Sequence, residues 1–81
     1  MKNLHEAKLT KELAKEVEES IRFVYMPTLN NYDYITIQDD FIEISKEEKW
    51  ERDENLEYNK ISDREVRQFK RNNLSGVFVE C

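Results

Sequence analysis

The chain has 81 residues, with 18 Asp and Glu against 13 Lys and Arg, and so a net charge of −5. One Gly excludes a glycine-rich phosphate loop, which needs several glycines for tight turns and close backbone approach. One His and one Cys exclude a structural zinc site, which takes four such ligands.

Asn3 to Tyr25 reads as one long amphipathic helix. Leu9, Leu13, Val17, Ile21 and Val24 fall in one stripe at about 100° per residue, with Ala14 at its edge. Lys8, Glu12, Lys15 and Glu19 lie on the opposite side. Glu18 precedes Arg22 by one helical turn, the favoured order for an ion pair. Asn3 followed by Glu6 marks the start, and Pro27 ends the helix because it lacks an amide hydrogen. Leu4 and Phe23 fall off the stripe.

Thr28 to Asp33 reads as a loop, with Asn30 and Asn31 supplying turn chemistry. Tyr34–Gln38 and Phe41–Ser45 are β-rich runs separated by Asp39-Asp40. A tight turn there pairs Ile37 with Ile42 and Ile35 with Ile44. Directly opposed residues share a sheet face, so all four isoleucines land together. Asp-Asp is a poorer primed turn than Asn-Gly. Lys46 to Glu54 is highly charged and either extends the second strand, with Trp50 in the parity of Ile42 and Ile44, or forms a charged loop. A turn at Asp53–Asn55 returns the chain through Leu56–Lys60 and sets Tyr58 opposite Trp50.

Ser62 and Glu65 form an S-x-x-E capping box, with Ile61 and Val66 at the hydrophobic-staple positions. A second helix is therefore expected from Ser62 to Asn72 or Asn73, burying Val66 and Phe69. After Gly76, Val77–Cys81 reads as a terminal strand.

The expected order is α-β-β-β-α-β. It predicts a single small α+β domain over residues 1–81, an antiparallel sheet with both helices packed on one face. The α-β-β-β-α portion resembles double-stranded RNA-binding domains in topology alone; a basic, glycine-containing loop and a lysine cluster before the last helix are missing.

Charge is unevenly placed. Residues 1–25 carry five basic and five acidic groups, residues 26–59 three and ten, and residues 60–81 five and three. The acidic middle defines an expected partner-binding surface: Tyr34, Asp39, Asp40, Phe41, Glu43, Glu47, Glu48, Trp50, Glu51, Asp53 and Glu54. Carboxylates steer association with a basic protein, such as a nuclease or other nucleic-acid-binding protein, and exposed aromatics anchor it. Charged surface residues also occur with no such role, simply keeping a sheet face solvated.

A second reading uses Arg64, Arg67, Lys70 and Arg71 on the expected second helix as a phosphate-contacting face. The net negative charge disfavours direct nucleic-acid binding. A third has the terminal strand or the open sheet face join subunits, as in a homodimer. Catalysis is not expected: Asp39, Asp40 and Glu43 lie at a hairpin tip in water, and His5 and Cys81 lie near the chain ends. No cofactor or metal is expected, since Asn31-x-Asp33 lacks the glycine and glutamate of a calcium loop.

The chain begins with Met1, shows no apolar span or leader, and has a single cysteine, so a cytoplasmic protein is expected. Abundant Asn, Lys, Ile and Tyr suggest an AT-rich source such as a low-GC bacterium or its phage. The predicted role is a small inhibitor of the antitoxin, immunity or phage anti-defence and host-takeover type.

Overall fold

A computed structural model describes residues 3–81. Its elements are β1 (Leu4–Lys8), α1 (Lys11–Ser20), a 3-10 turn (Leu29–Asn31), β2 (Tyr34–Ile37), β3 (Phe41–Lys46), β4 (Lys49–Arg52), β5 (Tyr58–Ser62), β6 (Glu65–Arg71) and β7 (Phe78–Glu80). Five strands form an antiparallel sheet in the order β1-β2-β3-β6-β7, and β4 pairs with β5 in a separate two-stranded ribbon. The two-helix α+β expectation is thereby corrected: the protein is mostly sheet, with a single α-helix among the described residues.

The isoleucine hairpin forms in the expected register, Ile35 opposite Ile44 and Ile37 opposite Ile42. Gln38 and Phe41 exchange backbone hydrogen bonds across the Asp39-Asp40 turn at 2.8 and 3.4 Å. Neither aspartate has positive φ, so this is not a primed turn. All four isoleucines are buried, and Ala14 and Val17 of α1 complete the core with Leu29, Phe69 and Phe78.

The long first helix is corrected at both ends. Thr10 is extended, and its hydroxyl accepts from the Leu13 amide at 3.2 Å, so the helix starts at Lys11. The residues before it, Leu4–Lys8, instead pair with the free edge of β2. At the other end Ile21 is already extended. The β-favouring run after it reaches β7: Phe78 donates to the Arg22 carbonyl at 2.8 Å, and Val24 donates to Phe78 at 3.0 Å. Phe23 stacks edge-on to Phe69 with centroids 5.1 Å apart.

The second helix does not form; Glu65–Arg71 is a strand laid between β3 and β7. The staple residues Ile61 and Val66 stay exposed, and the Ser62 hydroxyl is buried without a hydrogen-bond partner. Ladder bonds to β3 on one side and β7 on the other outweigh a local cap that would bury only Val66 and Phe69. The topological likeness to double-stranded RNA-binding domains falls with this helix. Asn72 closes a turn to β7 instead, in which Gly76 takes φ 73°.

A projecting arm and the cleft at its base

β3 and β6 are adjacent in the sheet, and both are interrupted at the same level, by Glu47-Glu48 and by Asp63-Arg64. Beyond that joint the two strands continue as β4 and β5, a ribbon that pairs with no other strand among the described residues. The molecule is correspondingly elongated, 55 × 25 × 20 Å.

Every residue of β4 is exposed, as are those of β5 up to Ser62. Trp50 faces Lys60, and Tyr58 faces Arg52. The expected Trp50–Tyr58 opposition is therefore shifted. The register slips between Lys49 and Trp50, leaving Ile61 as the extra residue on β5. Each aromatic instead carries a cation at 5.7 Å, Lys60 over Trp50 and Arg52 over Tyr58. Trp50, Leu56, Tyr58 and Ile61 are 51%, 66%, 66% and 58% exposed.

The arm's tip is built by Asp53. Its carboxylate accepts from the amides of Glu57 (3.0 Å) and Asn55 (2.9 Å) and from the Asn59 side chain (2.9 Å). The Glu57 amide, then the Asn59 side chain and the Asn55 amide, hold the Asp53 carboxyl below its ordinary value. Asp53 is thus a structural residue rather than a free docking charge. A lowered carboxyl pKa gives stability present above its unfolded value and lost as pH falls through the folded one. Asp53→Ala is expected to unravel the tip alone. Hydrogen exchange at Asn55 and Glu57 should speed up while the amides of β3 and β6 keep their protection; in the unmodified protein the same tip should loosen on acidification. Leu56, next in the tip, has φ 65°.

At the joint, sheet and arm together enclose an open cleft of about 750 Å³. Glu6, Tyr34 and Ser45 line it from the sheet, Trp50 from the arm, and Glu47, Glu48 and Arg64 from the joint itself. Tyr34 and Ser45 are directly opposed across β2 and β3, so both point to this face. A hydrogen bond to the Glu47 carboxylate and its charge raise the Tyr34 phenol above its ordinary value. Hydrogen bonds from Trp50 and then from Lys60 lower the Glu48 carboxyl. Lys60 bridges Glu48 at 3.1 Å and Asp63 at 2.9 Å, and these two partners, Asp63 first, raise its pKa.

The fold divides the expected site. Tyr34, Glu47, Glu48 and Trp50 meet in the cleft, joined by Arg64 from the second set and by Glu6, which sequence reasoning passed over. Glu51, Asp53 and Glu54 lie farther out along the arm. Asp39 and Asp40 sit at the other end of β3, with Phe41 beside them opposite Lys70. An extended strand rises about 3.3 Å per residue, so Asp40 and Asp53 are separated by up to roughly 40 Å. Glu43 stands between, on the face away from α1, accepting from Gln68 at 3.1 Å.

The arginine stripe is also corrected, since it depended on a helix. In β6 successive side chains alternate faces, which sets Lys70 opposite in direction to Arg67 and Arg71. Arg67 is committed within the fold: its Nε donates to Glu80 at 2.8 Å, its Nη1 to the Tyr32 hydroxyl at 3.3 Å, and it lies 5.5 Å over the Phe69 ring. The bond to Glu80, then that to Tyr32, raises the Arg67 pKa, and Arg67 in turn lowers that of Glu80.

Among the described residues no group of three or more His, Cys, Asp and Glu is placed to hold a metal ion. No helix there is long and apolar enough to cross a membrane. Comparison with protein-family models, with curated proteins and with solved structures finds no match.

Proposed function

We propose that this is a small cytoplasmic binding protein without catalytic activity that inhibits a partner by laying its arm over a basic functional surface. Antitoxins, nuclease immunity proteins and phage-encoded inhibitors of host defence or transcription share this physical profile. The observation that carries the reading is the arm itself. A two-stranded ribbon with no core is marginal in water, yet this one holds four large apolar side chains exposed. Docking would bury them and stabilise the ribbon.

The sign of the partner follows from the arm's free charges. Arg52 and Lys60 are stacked on rings, Lys60 is also paired with Glu48 and Asp63, and the remaining cation, Lys49, lies at the arm's base rather than its outer part. Glu51, Glu54 and Glu57 are in no ion pair among the described residues. They leave the outer arm acidic, which steers it toward a basic surface.

Leu56 adds a second support. A left-handed conformation costs a non-glycine residue about 1–2 kcal/mol, and glycine or asparagine would occupy the position with less strain. An exposed leucine held there is consistent with a contact residue at the tip. Leu56→Gly is expected to leave the melting temperature unchanged or raised while weakening partner binding.

The test is affinity isolation from a host lysate using the wild-type protein and the Trp50→Ala and Leu56→Gly variants as parallel baits. A partner retained by the wild type and lost from both variants is the expected result. Equal retention by all three would remove the arm from the interface.

A further inference from the structure

We infer that the cleft at the base of the arm receives one lysine or arginine side chain of the partner, seated against the rings of Tyr34 and Trp50 with Glu6 and Glu47 as its counter-charges. This rests on the docking reading and specifies where a single cation of the basic partner goes.

Three independent features converge there. The first is aromatic: Tyr34 comes from the sheet, and half-exposed Trp50, which carries Lys60 at 5.7 Å over one face, comes from the arm; ring faces attract ammonium and guanidinium groups. The second is charge. Glu48 is already neutralised by Lys60, but Glu6 and Glu47 are in no ion pair among the described residues. Against them stands one guanidinium, Arg64, so the lining is net negative and repels an anion. The third is Ser45, only 5% exposed yet lining the cleft beside Tyr34. Its hydroxyl can accept from an incoming N–H donor. Carboxylates, a hydroxyl acceptor and ring faces together are the complement of a cationic head on an apolar stem. The open mouth admits such a side chain from outside.

Trp50 is the one tryptophan of the chain, so its indole N–H gives a single resonance inside the proposed site. The probe is a short oligo-arginine or oligo-lysine peptide titrated into the full-length protein at low salt, with oligo-glutamate as control. The Trp50 resonance and fluorescence should shift saturably with the cationic peptides and stay unchanged with the acidic one. Glu47→Gln and Tyr34→Ala should each weaken binding about tenfold. Asp39→Asn, outside both the cleft and the arm, should change it less than about twofold. Glu47→Gln keeps the backbone amide that donates to Asp33 at 2.8 Å, so it reports on the cleft even if Tyr34→Ala fails to fold. An unmoved Trp50 resonance, or equal weakening by Glu47→Gln and Asp39→Asn, would overturn the assignment. Docking by the arm would survive that failure, because Leu56→Gly and the Glu51, Glu54 and Glu57 reversals test it on the partner outside the cleft.

Discussion

Phe69→Ala is expected to destabilise the protein by about 3–5 kcal/mol, the usual cost of emptying a buried aromatic site. Phe69 is 1% exposed and sits on β6, between β3 and β7. It stands opposite Ile42, meets Phe23 edge-on and carries Arg67 over its ring. It therefore links β6 to the segment after α1, beside the backbone bonds that Phe78 makes with Arg22 and Val24. Domains of this size have roughly 4–12 kcal/mol in total, so the loss approaches the whole. Urea denaturation followed by circular dichroism measures it. Val66→Ala on the same strand, on the exposed face, should cost under about 1 kcal/mol. Equal effects at the two positions would show that the helix-covered face is not the core.

The joint substitution Glu51→Lys, Glu54→Lys and Glu57→Lys is expected to weaken partner binding by at least about a hundredfold, roughly 3 kcal/mol, without altering the fold. These carboxylates are exposed and in no ion pair among the described residues, and none supports the turn that Asp53 builds. Asp53 is left intact in this variant because its replacement would disorder the tip and confuse lost charge with lost structure. The wild-type association should slow as salt is added, and the variant should lack that dependence. Steady-state binding at two salt concentrations reads both effects.

How much of this was legible in the sequence depended on whether local pattern and global pairing agreed. The four isoleucines alternate with polar residues, and a two-residue turn fits their register, so the hairpin was readable to the residue. The terminal strand was readable for the same reason, and it takes a sheet edge. Glu65–Arg71 was not. Its charged residues occupy both parities, which hides the period of two, and Val66 and Phe69 lie three apart as on a helix face. The S-x-x-E capping box at Ser62 adds a second local signal for helix. Thr10 is the opposite case: a cap present in the sequence but masked by a leucine stripe that ran across it. Leu29 is fully buried, yet a lone apolar residue between turn-formers gives no signal of that. The acidic middle was visible as composition, whereas its division among a hairpin tip, a joint and an arm required the fold. The cleft was invisible, since Glu6, Tyr34, Trp50 and Arg64 are distant in the chain.

The central claim is that the arm is the docking element. Amide hydrogen exchange of the purified complex against the free protein tests it most directly. Slowed exchange concentrated in residues 49–62, with the amides of α1 unchanged, is the predicted result. Slowed exchange on α1 or β7 with the arm unaltered would contradict it.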